Sequence, residues 1–102
     1  MLEQSMNAER LGTLLERTAK FHEAVHLHAA NLAPVEGARH LVAFQAALLS
    51  LEHAAGAIVL IDGGLFPSAY TLMRSQYECL VRGIWLLYSA SEDWVERLSE
   101  PL

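Results

Sequence analysis

The segment from about Val35 to Ile61 constrains this chain more than any other, because it is apolar on two sides of one helical period. Ala43, Ala47, Ser50, Ala54 and Ala57 recur at spacings of three and four. They form a stripe of small residues along which another helix can approach closely. Leu41, Phe44, Leu48, Leu51, Ala55 and Ile58 make a second apolar face. A helix with two apolar faces is central in a bundle or lies at an oligomer interface. Pro34 suits its first turn, and Asp62-Gly63-Gly64 ends it, since glycine accepts the left-handed conformation that closes a helix. At 1.5 Å per residue it is roughly 40 Å long, enough to span a bilayer. Gln45, Ser50, Glu52 and His53 interrupt the apolar run near its middle, however. A central charge costs about 2.5–3.5 kcal/mol on insertion. A buried bundle helix with no membrane partner is the expectation.

Helical period continues on either side. From about Glu3 to Asn31, Leu11, Leu14, Leu15, Thr18, Phe21, Val25, Ala29 and Leu32 keep the three-and-four spacing, with Arg10, Glu16, Arg17, Lys20 and Glu23 on the polar side. Pro34 disfavours helical geometry at Ala33, so the chain turns there. A third helix runs from about Pro67 to Tyr88. Ser89 and Glu92 then have capping-box spacing, which predicts a short fourth helix from about Ala90 with Trp94, Val95 and Leu98 on its apolar side. The short second connection makes helices two and three antiparallel neighbours. A turn centred between Gly64 and Leu65 sets Glu52 level with Tyr77 and His53 level with Gln76. The expected fold is all-α: an antiparallel helical bundle of three long helices plus a short C-terminal helix, one domain over residues 1–102. The fourth helix stops soon after its tryptophan, so the natural chain is expected to continue past Leu102.

Composition narrows the function classes. One cysteine, Cys79, excludes an intrachain disulfide framework. Seven basic against twelve acidic residues, a net charge of −5, and no basic run argue against a DNA partner. A domain of this size is expected to bury roughly two thirds of its unfolded surface. With 53% hydrophobic and only 19% charged residues, and with the small-residue stripe, a homo-oligomer is expected, a dimer at its simplest. The first ten residues lack a cationic region followed by an apolar stretch. The expected location is therefore cytoplasmic, with Cys79 as a thiol and no cofactor.

Two clusters could carry chemistry. Tyr70, Arg74, Glu78 and Arg82 follow one another four apart on an otherwise apolar helix, with Tyr77 alongside. The functional interpretation is an inward-facing groove that holds a small anionic ligand. The structural alternative is an Arg–Glu–Arg ladder that satisfies its own charges, with Glu52 across the hairpin as a further partner, because buried charges must be paired. The second cluster is Phe21-His-Glu-Ala-Val-His-Leu-His28. His22 and His26 stand four apart with Glu23 beside the first, the spacing of a zinc-protease helix. Glu23-x-x-His26 is also the helical half-motif of di-iron carboxylate bundles. Neither motif is complete: Glu52, Glu78, His40 and His53 supply further ligands only by elimination. A polar helix face rich in histidine is the simpler account. Cys79 reads as a small core residue, and Trp85 and Trp94 as core or interface anchors.

The run from about Asp62 onward resembles a group of bacterial helical proteins known only as a domain of unknown function. The theme there is Arg-Ser/Pro-x-x-Glu followed by Arg-Gly-x-Trp-Leu, matched here by Arg74, Ser75, Glu78, Arg82, Gly83, Trp85 and Leu86. The resemblance covers about forty residues and implies a helical fold and a signature stripe, but no reaction. Separately, Arg17 with His22 five positions on resembles the Arg-x4-His motif of HEPN-class ribonucleases, though it falls in the first helix rather than late in the bundle. The preferred expectation is a non-enzymatic interaction or ligand-binding module whose specific surface is Tyr70, Arg74, Tyr77, Glu78, Arg82 and Glu52. The alternatives are a HEPN-like ribonuclease or toxin of phage defence, and a bundle that binds metal through His22, Glu23 and His26.

Overall fold

A computed structural model describes residues 2–33 and 36–100, and these fold into four helices: α1 Leu2–Ala30, α2 Ala38–Asp62, α3 Phe66–Tyr88 and α4 Glu92–Ser99. The described residues contain no strand, so the all-α expectation holds. Helix α2 begins at Ala38, about three residues later than expected, and Pro34, expected in its first turn, lies outside the described residues. Gly37 stands before α2 with φ of 118°, a conformation that only glycine adopts without strain. The α2–α3 turn is closed from within: the Gly64 and Leu65 N–H groups donate to the carbonyls of Ile61 and Leu60, and Gly64 takes a φ of 77°.

The start of α4 differs from expectation. Ser89 and Ala90 both donate their N–H to the Trp85 carbonyl, which ends α3 there. The next helix begins two residues later than expected. Its cap is Ser91, extended at φ −67° and ψ 158°, whose hydroxyl oxygen accepts from the Trp94 N–H. Glu92 does not reach back to a cap nitrogen. Its carboxylate takes Arg39 instead, at 3.0 Å.

The centre of the molecule is the α2–α3 hairpin. Ala43, Ser50 and Ala57 of the small-residue stripe are buried, and the helix that lies on them is α3, through Ala69, Cys79 and Leu86. A Cβ placed on Gly83 would sit 3.4 Å from the Ala46 Cβ and 3.5 Å from the Ala43 carbonyl oxygen, so the two backbones meet closely there. The Ser50 hydroxyl donates to the Gln76 carbonyl at 3.1 Å. Ala43 and Ser50 of the stripe are therefore covered by α3, while Ala47 stays exposed beside an open groove.

Two further helices lean on this hairpin. Val95 of α4, 1% exposed, closes a cluster with Val42, Ala43, Leu86 and Ala90. Arg39 fastens that corner, donating to the Leu86 carbonyl at 2.7 Å as well as to Glu92. Helix α1 lies against Leu51 and Ile58 of the second apolar face of α2 and against Ala54 of the small-residue stripe, but buries none of its residues. The result is elongated, 58 × 27 × 23 Å. It exposes 7980 Å² against the roughly 16,400 Å² of an unfolded chain of this mass. About half of the surface is buried, not two thirds.

Candidate functional site

Helix α3 has two faces of different character. The inner one, turned to α2, carries Ala69, Leu72, Gln76, Cys79, Gly83 and Leu86, all buried or half-buried. The charged row lies elsewhere. Tyr70 is 69% exposed and Tyr77 67%. Arg74 Nε lies 3.4 Å from Glu78 Oε1, with side chains 73% and 59% exposed. The row therefore faces out of this chain, and the inward groove expected for it does not form. The reason is geometric. Steps of four residues advance about 40° around a helix per step, so the row winds away from any one contact face. The α2 seam falls on neighbouring positions. An exposed pair four residues apart contributes only a few tenths of a kcal/mol.

Glu52 stands at the expected height but on another side of α2. It lines a groove against α1 with His22, Glu23, His26, Leu48 and Leu51. Arg74 pairs with Glu78 and not across the hairpin. The row and Glu52 are thus two separate places.

Part of the row does enter a groove. Tyr77, Glu78, Val81 and Arg82 line an open depression of about 630 Å³ with Trp85, Trp94 and Leu98 of the α3–α4 corner. Trp85 and Trp94 meet edge to face, centroids 6.3 Å apart at 66°. The Arg97 guanidinium sits over the Trp94 ring at 5.6 Å. Arg82 has no carboxylate within ion-pair distance among the described residues. This corner offers cationic donors beside aromatic faces, the elements that hold a planar anion.

The histidine cluster is differently engaged. His22 Nε2 lies 2.8 Å from the Leu51 carbonyl oxygen. An oxygen of that kind only accepts, so Nε2 carries the proton and is committed to holding α1 on α2. Its ring stacks on His26 with centroids 6.2 Å apart. Among the described residues no three His, Cys, Asp or Glu side chains converge to hold a metal ion. Arg17 lines a groove along α1 with Met6, Glu9 and Arg10, whereas His22 turns to α2, so the two do not share a site.

Sequence reasoning missed two features. Arg39 was one. A cation in the first turn of a helix opposes the helix dipole, and that local misfit is the sign of a tertiary partner. The other is an apolar strip of α3 beside the α2 seam, where Phe66, Tyr70, Met73, Tyr77, Leu80 and Ile84 are all exposed. Its signal was the alternation of four- and three-residue steps.

Helix α2 is long and apolar enough to cross a membrane by length and composition, and α3, α1 and α4 lean on it here. Residues 47–102, more than half of the chain, match the model of a family of unknown function, DUF6988. The matched segment holds the Arg74–Leu86 pattern, begins within α2 and leaves α1 outside. No curated protein and no solved structure matches the chain.

Proposed function

The chain belongs to DUF6988, a family of unknown function, and from that premise we propose that it is a helical interaction module that works by self-association. Its working parts on this proposal are surfaces rather than a reaction centre. One observation carries it. A folded monomer of 11.3 kDa exposes about 5,700 Å² by the usual scaling of surface with mass, whereas this chain exposes 7980 Å². The excess of about 2,300 Å² is nearly three times the roughly 800 Å² that each partner gives to a standard interface. Much of it is apolar: Leu14, Phe21, Tyr70, Tyr77 and Tyr88 are more than half exposed. Apolar side chains exposed in this number support an interface. The proposal includes the cytoplasm as the compartment, where the buried Cys79 stays a thiol.

Light scattering after size exclusion at micromolar concentration tests this. The expected mass is twice that of the chain or more. A stable monomer overturns the proposal, and a monomer that sediments with lipid vesicles turns the excess surface toward a membrane instead.

A second reading rests on Arg82, which lies without a carboxylate partner beside Trp85 and Trp94. On it, the α3–α4 corner takes a small planar anion. Tryptophan fluorescence titrated with benzoate is expected to saturate, and Arg82→Ala to abolish the change. A linear, non-saturating response in both proteins removes this reading.

A further inference from the structure

We infer that the face through which the chain self-associates is the exposed heptad strip of α3, and that a second copy packs its own α3 there in coiled-coil fashion. The inference rests on the self-association proposed above and names its interface.

The first support is periodicity. Phe66, Tyr70, Met73, Tyr77, Leu80 and Ile84 follow at steps of four, three, four, three and four. That is the heptad repeat, with Tyr70, Tyr77 and Ile84 at one core position and Phe66, Met73 and Leu80 at the other. A helix that must bury one side against a globular core needs no such strict alternation. An average step of 3.5 residues keeps a stripe facing one partner helix along its length, because the left-handed supercoil absorbs the drift of about 20° per heptad.

The second support is that this strip stays exposed beside the face of α3 that packs on α2. All six side chains are exposed, and the strip lies about 100° around the helix from the residues packed against α2. Among the described residues no helix buries the strip, although Met73 borders the groove against α1, Tyr77 the α4 corner, and Leu80 and Ile84 an open groove against α2. From Phe66 to Ile84 the free length is about 27 Å at 1.5 Å per residue.

The partner's nature follows from charge and area. The strip contains no charged residue, so nothing in it selects a partner of opposite sign. The neighbouring charges are Arg74 and Glu78, which neutralise each other at 3.4 Å. Such a face is complementary to itself, the requirement for an interface between identical copies. The excess of about 2,300 Å² supplies what a standard interface takes from each partner. A short α3 pair alone needs only part of it.

The test uses the full chain and two lysines. Tyr77→Lys lies at the middle of the strip, and Val59→Lys lies on α2, at a residue 70% exposed. Neither side chain is buried, so both variants are expected to keep the far-ultraviolet spectrum of the parent. Sedimentation equilibrium is expected to show a dimer for the parent and for Val59→Lys. For Tyr77→Lys, with a charge placed at the centre in both copies, self-affinity should fall by about 100-fold or more. Should Tyr77→Lys lose helicity, Tyr77→Ala at the same position carries the measurement. A parent dimer that survives both Tyr77 variants overturns the α3 interface and leaves self-association standing. So does a Val59→Lys effect as large as that of Tyr77→Lys. A monomeric parent overturns both.

Discussion

Helices α1 and α3 both run along α2, yet they are held in different ways. Where α3 meets α2, the contact residues are small. Gly83 comes against Ala46 and the Ala43 backbone, and the Ser50 hydroxyl reaches a carbonyl of the facing helix. Where α1 meets α2, the facing residues are large: Phe21, Val25, Leu51 and Ile58 border an open groove of about 230 Å³. No residue of α1 is buried, and one side-chain hydrogen bond, from His22 to Leu51, ties it down. Small residues let backbones close, and close backbones bury what lies between them. Large residues on both sides of a seam cover more area but leave gaps unless a third element fills them. The family match follows the same division, taking in the hairpin's facing residues from Ala47 onward and omitting α1.

The most damaging way to break this contrast is to make the α3 seam resemble the α1 seam. Gly83→Leu places a branched side chain where even a Cβ would stand 3.4 Å from Ala46. The helices must separate, and the buried Cys79 and Leu86 lose their contacts. Overpacking of this kind costs about 3 kcal/mol, a large share of what a domain this small possesses. Thermal unfolding followed by circular dichroism is expected to lose its cooperative transition or shift strongly downward. A melt within a few degrees of the parent would mean that the close approach at Gly83 is not what holds the hairpin.

Val95→Ala comes next. Val95 is 1% exposed and closes the cluster of Val42, Ala43, Leu86 and Ala90. Removing two methyl groups and leaving a small cavity costs about 1.5–2.5 kcal/mol. A loss below 0.5 kcal/mol in denaturant titration would show that α4 is only resting on the hairpin, held as loosely as α1. Arg39→Ala acts on the same corner through hydrogen bonds. The guanidinium satisfies the Leu86 carbonyl, one of the end-of-helix acceptors of α3, and pairs with an exposed Glu92. The carbonyl bond is the half-buried, stronger part, so the expected cost is about 1–2 kcal/mol. Arg39→Lys tests the fork, since a single ammonium cannot reach both partners in the same planar geometry. It is expected to recover less than half of the loss, and full recovery would assign the effect to charge alone.

What the sequence made legible follows from which physical constraint each feature obeys. Helix ends were readable because Gly63, Gly64 and Pro67 act locally. The height of one helix against the next was readable because a tight turn fixes it: Gly83 stands opposite Ala46 and Gly56 opposite Leu72, the register that puts Glu52 level with Tyr77. Rotation was not readable. Glu52 and the Arg74 row share a height but face different neighbours, because α1, α3 and α4 compete for the faces of α2 and only packing decides among them. The same competition divides the small-residue stripe, of which α3 takes Ala43 and Ser50 while Ala54 and Ala57 also border the α1 groove. The start of α4 was misplaced because two serines, Ser89 and Ser91, suit a cap equally, and the closing bonds to the Trp85 carbonyl choose between them. Arg39 went unread because its partners, Leu86 and Glu92, lie forty-seven and fifty-three residues away.

His22→Ala is the mildest change and the sharpest probe of the contrast. It deletes a hydrogen bond of 2.8 Å to a carbonyl inside α2. That carbonyl sits within the helix and keeps its backbone partner, so no buried group is orphaned, and the global cost is about 0.5–1 kcal/mol. The local effect is larger in proportion. Without buried side chains, the attachment of α1 is already weak, and amide exchange reads each segment's own opening free energy. In the parent, the first turns of α1 are expected to exchange almost freely, the turns around His22 more slowly, and the inner face of α3 slowest. In His22→Ala the middle turns of α1 should approach the rate of its first turns, while protection at Cys79 and Leu86 stays within about twofold. Such a result means that α1 opens as a unit separate from the hairpin. Equal acceleration in α1 and α3 would instead make the two helices one cooperative body, and the difference in their seams would then be a difference in packing without a difference in stability.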